Sequence, residues 1–510
     1  MSLLTDYYGV ALAILSLVLT LIWYLKNSSS WRYRNLPPGP LGLPILGILP
    51  YLDEKNPSVD VLRMSKRYGP IFGGFLGSHR AVFLNDYDTI KETFARTDDV
   101  FSDRPRIAIF ELYSDGQGVA CCYLENHWKE QRRFTLRALR NYGMGRLQGS
   151  LRNAIDVEVS HLMTAMSKIK KPFDPRIYVE SAVCNITCKM VFGRRYEYED
   201  AQFTEFLHNL EKIFELSGVA GVVNYLSWMK YVPFSGYHAL GDCVRHLENG
   251  LFTKECEEHQ KVFDPNRSPR DLIEAFLLEL HKKQQEKVEN NGEDMAPTGF
   301  NHQQMLHFIA DVFAAGTDTT ASTLKWSLIH LMKFEDEQRK IQEELDHVIG
   351  RDRMPSLEDK PNLPYTQAFL AESLRYGCAG PLGVPHGAKE DTKLRGYDIP
   401  KGTVIVANLY AVLYDPKVFP EPDKFNPSRF IDDEGRVKTS LIERAHSQFG
   451  IGRRQCVGMD MALMERFVFI TNLIHRFNAR APNGPDSVTI DARGGLAFVP
   501  MPFEMQLTER

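Results

Sequence analysis

The sequence has no strong excess of charge, no internal repeat and no low-complexity tract. Its 510 residues carry 61 basic and 65 acidic side chains, for a formal net charge of −4. Nucleic-acid-binding domains usually carry a clear basic excess, so nucleic acid is not expected as a partner. With 43% hydrophobic and 25% charged residues, the chain has the composition of a globular protein with a large core.

Cysteine is sparse, and its spacing does not match a zinc site. Among the eight cysteines, Cys121 and Cys122 are adjacent, and Cys184 and Cys188 lie one helical turn apart. Neither pair is accompanied by the further Cys or His that structural zinc requires. Seven of the eight are therefore interpreted as reduced thiols of a cytosolic domain. Cys456 is the exception, because of the loop that surrounds it.

Long apolar runs are also absent, apart from Tyr7 to Leu25, YYGVALAILSLVLTLIWYL. About 20 such residues cross the core of a bilayer. A cleaved signal peptide fits poorly, since Asp6 precedes the run, Lys26 follows it and no small-residue cleavage site appears. A buried core helix is a third interpretation, disfavoured by the terminal position. We expect residues 1–30 to be a retained single-pass anchor, with the rest of the chain cytosolic.

The remainder predicts one large domain that is mainly α with a smaller β portion. Residues 31–40 are rich in proline, which fixes φ and removes donors, so they form a stiff hinge. The main body of the chain is predicted to span residues 41–510. Short strands are predicted around Ile71–Phe75 and Ala81–Leu84, helices dominate from about Trp128 to Tyr376, and the last third alternates strands with Pro- and Gly-rich turns.

Two segments have the clearest hydrophobic pattern of a helix, Asp271–Lys282 and Met305–Leu331. The polar stretch Gln284–Gly299 between them is predicted to be a surface loop.

The most specific segment is FGIGRRQCVG, from Phe449 to Gly458. Its glycines permit sharp turns and close approach of the backbone to a planar ligand. Cys456 is followed at once by a predicted helix, Met459–Ile474, whose N-terminal dipole favours an anionic sulfur. A metal-binding thiolate needs this setting, with amide groups directed at the sulfur. The alternative is a glycine-rich turn that contains an incidental cysteine.

A second unusual segment, Ala315 to Thr319 (AGTDT), interrupts an apolar helix with glycine, hydroxyl groups and an acid. Such residues are unfavourable in mid-helix, and a functional site explains the conflict. Hydroxyl groups there can bond back to the helix and open it locally. A helix kink at a packing site is the alternative.

Together these segments resemble the cytochrome P450 family. The pattern F-x-x-G-x-R-x-C-x-G matches its haem-binding signature at every position, although Gln448 stands where the family often has proline. The resemblance implies the P450 fold and haem b with its iron bound by Cys456. It further implies that Asp318 and Thr319 are the catalytic proton-delivery pair. The haem-contacting residues would be Trp128, Arg132, Ala315, Gly316, His386, Phe449, Arg454 and Gly458.

Within that resemblance, three roles are specific. Arg132, Arg454 and His386 would contact the haem propionates, and Trp128 would donate its indole N–H. Glu372, Arg375 and Arg429 would form a buried structural triad. Each has a plainer alternative: E-x-x-R is usually a surface ion pair, and a lone histidine is more often an ordinary polar residue.

Several stretches are similar to family two of the animal microsomal P450s, among them Phe101-Ser-Asp-Arg-Pro and Gly383-Val-Pro-His. This similarity implies the endoplasmic reticulum membrane and electrons from NADPH through the flavoprotein P450 reductase, with cytochrome b5 a further candidate partner. It also implies a lipophilic substrate of steroid, fatty acid or xenobiotic type. The implied pocket is largely apolar and draws on Phe110, Phe313, Ala315, Val384 and Leu496.

Two other functions remain open, a reductase-independent P450 that rearranges peroxides and a non-catalytic haem-binding membrane protein. A basic stripe at helical spacing, Lys129, Arg133, Arg137 and Arg140, is interpreted either as a solvated face or as a docking patch for an acidic flavoprotein.

Overall fold

The computed structural model describes residues 9–11, 14–22, 33, 35–53, 55–97, 99–125, 127–289, 299–494 and 497–510. Within the body these residues form sixteen α-helices. They are α1 (Pro57–Tyr68), α2 (Tyr87–Lys91), α3 (Ala108–Ser114), α4 (Trp128–Tyr142), α5 (Ser150–Ser167), α6 (Arg176–Phe192), α7 (Ala201–Val219), α8 (Tyr237–Leu247), α9 (Thr253–Val262), α10 (Leu272–Glu289), α11 (His302–Lys333), α12 (Glu335–Val348), α13 (Pro364–Gly377), α14 (Leu409–Leu413), α15 (Thr439–Ala445) and α16 (Met459–Arg476).

The strands in the described part of the chain are short and belong to four small sheets. They are β1 (Ile71–Leu76), β2 (His79–Leu84), β3 (His386–Gly387), β4 (Thr392–Leu394), β5 (Tyr397–Ile399), β6 (Val404–Ala407), β7 (Phe477–Arg480), β8 (Ala492–Arg493), β9 (Val499–Pro500) and β10 (Gln506–Glu509). The largest sheet has the order β1-β2-β6-β3, with β2 and β6 parallel and the other neighbours antiparallel. The prediction of a mainly helical fold with a smaller β portion is confirmed.

Helix α11 forms the centre of the helical part. Its N-terminus is capped by the Asn301 side chain, which accepts a hydrogen bond from the amide of Gln304. The helix packs against α6, α13 and α16. Its C-terminal half, from Thr320 to Met332, is buried almost without interruption except at Thr323. The apolar residues of this half, such as Leu324, Leu328 and Leu331, recur at helical spacing, which is why the sequence predicted the helix well.

The predicted loop at Gln284–Gly299 is wrong in its first part. Helix α10 continues to Glu289, because the polar residues after Lys282 are good helix formers. Residues 290–298 lie outside the described part of the chain.

The predicted anchor lies only partly within the described residues. Residues 9–11 and 14–22 are helical. Among the described residues, no helix combines the length and the hydropathy needed to cross a bilayer. The transmembrane helix therefore stays a prediction.

Candidate active site

The loop before α16 is held by its own backbone and by two glycines with positive φ. The amide of Cys456 donates to the carbonyl of Phe449 at 2.8 Å, which closes the loop. Gly450 and Gly452 have φ of 81° and 83°. A Cβ atom at Gly452 would lie 1.9 Å from the carbonyl oxygen of Phe94. Only glycine fits there, because both the backbone conformation and the space exclude a side chain.

Gln448, the residue that departs from the family pattern, has a role of its own. Its side-chain amide donates to the carbonyl of Leu374 at 2.8 Å. This contact fixes the entry to the loop on helix α13. A proline would give stiffness at this position but no such hydrogen bond.

Cys456 differs from the other cysteines in its surroundings. It is exposed, whereas the other seven are buried or half-buried. Burial against the protein on its inner sides raises the pKa of the thiol, and the amide of Gly458 and the charge of Arg132 oppose that rise. Gly458 is the N-cap of α16, so the sulfur lies at the positive end of a long helix. The loop can therefore present a thiolate to a metal.

Two guanidinium groups and an indole lie beside the loop. The guanidinium of Arg132 donates to the carbonyl of Gln455 at 2.6 Å. The guanidinium of Arg454 lies 4.0 Å from the ring centroid of Trp128. Arg454 Nη1 and Trp128 Nε1 are buried without a hydrogen-bond partner among the described residues. Orphaned buried donors are costly, so this geometry suits a polar or anionic group from outside the chain.

Arg104 is a site residue to which the sequence assigned no role. Its side chain is buried and donates to the carbonyls of Ala120, Val384 and Pro385 at 2.8 to 3.1 Å. Burial lowers the pKa of this guanidinium to about 10. The signal was its place in the family-like stretch Phe101–Pro105, but that stretch did not reveal what Arg104 binds.

His386 is buried beside these arginines. Its ring already makes a hydrogen bond within the protein, which limits the nitrogen that could donate to a haem propionate. Nδ1 lies 2.7 Å from the carbonyl of Phe101, so Nδ1–H donates to that oxygen. Burial, and then the charge of Arg104, hold the pKa of the imidazole well below its usual value. A neutral ring with hydrogen on Nδ1 leaves Nε2 as an acceptor. Donation from Nε2 to a propionate would require that anion to stabilise the imidazolium.

Helix α11 turns one face towards an open space and another towards its neighbours. Ala315 and Thr319, one turn apart, are exposed on the open face. The Thr319 hydroxyl donates to the Ala315 carbonyl at 2.5 Å, and the helix runs through this segment without interruption. The expected local opening of the helix is therefore not seen. A Cβ atom at Gly316 would lie 3.3 Å from Thr187 Oγ1, so Gly316 lies against α6.

Asp318 lies on a different face of α11 from Thr319. Its Oδ2 atom is buried without a hydrogen-bond partner among the described residues. Burial raises the pKa of this carboxyl to about 6, and the charge of Lys325 partly opposes the shift. A carboxyl whose pKa is shifted towards neutrality is better suited to general acid catalysis than an ordinary aspartate.

The predicted pocket residues differ in where the structure places them. Phe110 on α3 is buried, and Val384 is exposed. Phe313 is fully buried in an aromatic cluster with Phe192, Phe206 and Phe252, on a face of α11 away from Ala315. The structure thus does not bring Phe313 to the open face. Leu496 lies outside the described residues.

Asp311 is a second residue without a role in the sequence analysis. Its Oδ2 accepts hydrogen bonds from the amides of Val119 and Ala120, at 2.6 and 2.8 Å. This clamp ties the segment after α3 to α11 and borders the site. The sequence did offer one signal for this residue, because an acid one turn before Ala315 is unusual in an apolar helix.

The three charged residues Glu372, Arg375 and Arg429 are brought together by the fold. Arg375 binds both carboxylate oxygens of Glu372, at 2.7 and 2.8 Å, and Arg429 Nε lies 3.2 Å from Glu372 Oε1. The side chains of Glu372 and Arg375 are fully buried. Burial alone would lower the pKa of Arg375. The hydrogen bond and the charge of Glu372 outweigh the effect of burial, so the pKa is raised above its usual value.

Comparison with known proteins shows similarity along nearly the whole chain. A family model described as Cytochrome P450 matches residues 37–507. Cytochrome P450 2U1 of Rattus norvegicus is 34% identical over 524 residues, which cover 98% of this chain and 96% of the relative. Cytochrome P450 2F2 of Rattus norvegicus is 34% identical, with 98% and 99% covered. Cytochrome P450 2C44 of Mus musculus is 35% identical, with 97% and 98% covered.

Proposed function

Because this chain belongs to the cytochrome P450 family and is a monooxygenase, we propose that Cys456 is the thiolate ligand of its haem b iron. The reaction is the hydroxylation or epoxidation of lipophilic small molecules with dioxygen. The family implies a haem with thiolate ligation, and the choice of Cys456 rests on its exposure in a glycine-framed loop at a helix N-terminus.

The residues around the loop fit haem. Its two propionates are anionic, and Arg104, Arg132 and Arg454 have no carboxylate within ion-pair distance among the described residues. The orphaned donors of Arg454 and Trp128 offer hydrogen bonds that the protein does not use. Arginine binds carboxylates especially well because its planar donors match their geometry.

When bound, haem supplies the activation of dioxygen and the transfer of one oxygen atom to substrate. The chain's own residues do the rest. Cys456 would hold the iron, while the amide of Gly458 and the charge of Arg132 favour its thiolate form. Ala315 and Thr319 are exposed one turn apart on α11, so the small side chain would leave room for the haem-bound reactants and the hydroxyl would be available to them. Asp318 holds the proton that the reaction consumes. Phe110 and Val384 would contact the substrate, and their apolar side chains suit a lipophilic molecule.

The direct test uses the purified protein with P450 reductase and NADPH. We expect steroids, fatty acids or drug-like compounds to shift the spectrum of the ferric protein, and at least one to be oxidised at the expense of NADPH. Conversion of peroxides without NADPH or reductase would indicate a peroxide isomerase. Haem binding without either activity would indicate a non-catalytic protein.

Thr319→Ala is expected to uncouple NADPH consumption from product formation. We expect product per NADPH to fall about fivefold, less than the roughly 100-fold effect of removing a sole positioned acid, because water can replace a hydroxyl. Hydrogen peroxide should rise correspondingly, with haem content unchanged. Thr319→Ser is the control, since it keeps the hydroxyl. Equal coupling in Thr319→Ala and the unmodified protein would assign Thr319 to packing alone.

For electron supply we propose docking of reductase, and of cytochrome b5, on the basic stripe of α4. Lys129, Arg133, Arg137 and Arg140 are all exposed on one face. Lys129 is paired with Asp99 and Arg137 with Glu279. In the described part of the chain, no carboxylate pairs with Arg133 or Arg140, so these two carry the available charge.

Arg133→Gln with Arg140→Gln is therefore expected to slow reduction by reductase about tenfold at low ionic strength, within the range that electrostatic steering supplies. The effect should shrink in high salt, where surface charges are screened. Lys129→Gln with Arg137→Gln is the matched pair and should do less. Equal losses in both pairs, unaffected by salt, would point to a change in α4 itself. Substrate affinity should stay constant.

For localisation we propose the endoplasmic reticulum membrane, with residues 1–30 as a single-pass anchor, 31–40 as a hinge and 41–510 as the cytosolic catalytic domain. Removal of residues 1–30 is expected to leave a folded haem protein that is largely released from membranes by high salt. Some retention is expected at low salt, since Leu41, Trp228 and Phe234 expose 74%, 58% and 93% of their surface. Equally firm binding with and without the segment would contradict the anchor.

A further inference from the structure

Three polar side chains on one face of α11 hold the segment that follows α3. They are Gln304, His307 and Asp311, spaced three and four residues apart, so they lie on successive turns. The Gln304 side chain accepts from the Gly118 amide at 3.0 Å and donates to the Gly118 carbonyl at 2.8 Å. Asp311 accepts from the next two amides, as described above. His307, the middle member, forms a hydrogen bond with the backbone of Tyr113 on α3.

His307 also faces an acid from another part of the fold. Glu248 begins the π-helical turn Glu248–Phe252, which follows α8. Its Oε1 atom lies 3.7 Å from His307 Nδ1, and the side chains of Glu248 and His307 expose only 24% and 13% of their surface. Both atoms are buried without a hydrogen-bond partner among the described residues. Two unused polar atoms so close together indicate a contact that needs one more component.

A single proton completes this contact. The ring of His307 meets the Tyr113 backbone through its other nitrogen, since Nδ1 has no partner in the described part of the chain. Nδ1 of such a neutral ring is an acceptor, as is a carboxylate oxygen, so the two cannot bond to each other. A proton on Glu248 makes its oxygen a donor to Nδ1, and a proton on His307 makes an ion pair of the same geometry. In either form both atoms are satisfied once a small rotation of the side chains closes the gap.

The proton is retained up to neutral pH. Burial raises the pKa of Glu248 to about 7, and the charge of Arg245 partly opposes the shift. Burial lowers the pKa of His307, while the Tyr113 backbone and the charge of Asp115 act against that shift. Because the pKa of Glu248 is above that of an ordinary carboxyl, the folded chain keeps this proton up to about pH 7 and loses it above.

We propose that Glu248 and His307 form a proton-dependent latch, which ties the turn after α8 to α11 and, through the Tyr113 backbone, to α3. While the proton is shared, α3 is held over the pocket and Phe110 keeps its place. Without the proton, two acceptors face each other, the contact separates, and α3 moves more freely. The proposal uses the proposed contact of Phe110 with substrate, but neither the proposed ligand of the iron nor the proposed proton donor.

The other contacts of α3 keep it against its neighbours when the latch opens. The Ile109 amide donates to Asn224 Oδ1 at 2.9 Å, and the Tyr113 hydroxyl is hydrogen-bonded to the Ser217 hydroxyl. Neither contact titrates near neutral pH, because burial raises the pKa of the Tyr113 phenol further above its usual value. Asp311 is the second acid at this place, and burial raises its pKa to about 6. An ionised carboxylate is the stronger acceptor, so Asp311 acts in the opposite direction as the pH rises.

The test compares two variants and a matched control with the unmodified protein, all as holoenzyme. Glu248→Gln keeps the shape of the side chain, and its amide N–H donates to His307 at every pH, so this variant stays latched. Glu248→Ala removes the partner and is unlatched at every pH. Glu205→Gln makes the same chemical change outside the latch, where the carboxylate lies 3.6 Å from His246 Nε2 and the two side chains of that pair, His246 and Glu205, expose 61% and 66%.

Two measurements are made between about pH 6.5 and 8.5, on either side of the Glu248 transition. The first is hydrogen exchange of peptides from segment 108–120, followed by mass spectrometry and corrected for the base-catalysed exchange of free amides. The second is the release of 4-phenylimidazole, an aryl imidazole that ligates haem iron, followed by stopped-flow absorbance. Thermal midpoint and haem content report on folding.

In the unmodified enzyme we expect the corrected exchange and the release of 4-phenylimidazole to become about fivefold faster across this range, as the loss of one hydrogen bond predicts. Glu248→Gln should be slow throughout and Glu248→Ala fast throughout. Glu205→Gln should behave like the unmodified enzyme.

A pH dependence that persists in Glu248→Gln would overturn the latch, as would exchange in the unmodified enzyme that does not vary with pH. Exchange that responds as expected while release of 4-phenylimidazole stays constant would overturn the control of the pocket by α3. Should Glu248→Ala lose its haem, Glu248→Gln decides alone. The exchange of segment 108–120 is measured without reference to the iron ligand, so failure of the proposed haem ligand would leave this test intact.

Discussion

Replacing Cys456 by Ala is expected to abolish the thiolate-bound haem and with it all monooxygenase activity. The side chain is the exposed thiol of a closed loop, and the Gly458 amide and Arg132 both favour its anionic form. No other cysteine lies in a comparable setting, since the remaining seven are buried or half-buried and none lies in a glycine-framed loop just before a helix N-terminus.

The measurement is the absorption spectrum of the reduced, carbon monoxide-bound protein, together with haem content. The red-shifted Soret band of thiolate ligation should be absent in Cys456→Ala and present in Cys243→Ala, whose thiol is half-buried on α8. Cys456→Ser keeps the size of the side chain and should fold, so a loss of the band there cannot be attributed to packing. Persistence of the band in Cys456→Ala would assign the iron to another residue.

The predictable part of the site is the part encoded by local pattern. The turn at Gly450 and Gly452 and the helix after Gly458 follow from adjacent residues, because glycine alone tolerates the positive φ that the loop requires. The similarity to family-two P450s, inferred from short stretches, is confirmed by the relatives.

What the sequence could not show depends on contacts between distant segments. The partner of the His386 Nδ1–H is the carbonyl of Phe101, nearly three hundred residues earlier, and that contact decides which nitrogen can donate. Likewise Asp99 and Glu279 neutralise two members of the basic stripe from outside α4. Phe313 was assigned to the pocket by family resemblance, yet it lies about 200° around the helix from Ala315 at the usual 100° per residue.

The second large effect is expected at Glu372. This carboxylate is fully buried and accepts from Arg375, from Arg429 Nε at 3.2 Å and from the amide of Asn426 at 2.8 Å. Glu372→Met would leave the buried guanidinium of Arg375 without a counter-charge. Breaking such a pair typically costs about 3–5 kcal/mol, which is a large part of the stability of a folded domain. We expect a lower thermal midpoint and loss of haem on expression.

The cause can be separated from simple loss of packing by a second substitution. Glu372→Met with Arg375→Met removes both buried charges, and an apolar pair of similar volume is far less destabilising than one orphaned charge. Arg429 keeps its bonds to the carbonyls of Pro420 and Lys424, so it is not stranded. We therefore expect the double variant to have a higher thermal midpoint than Glu372→Met alone, measured by circular dichroism and by haem absorbance.

Glu343→Gln, in an exposed pair with Arg339, is the control and should change little. A double variant less stable than the single would mean that Arg375 stabilises the core through its bond to the Leu413 carbonyl and its contacts with Tyr414 and Phe419, rather than through its charge.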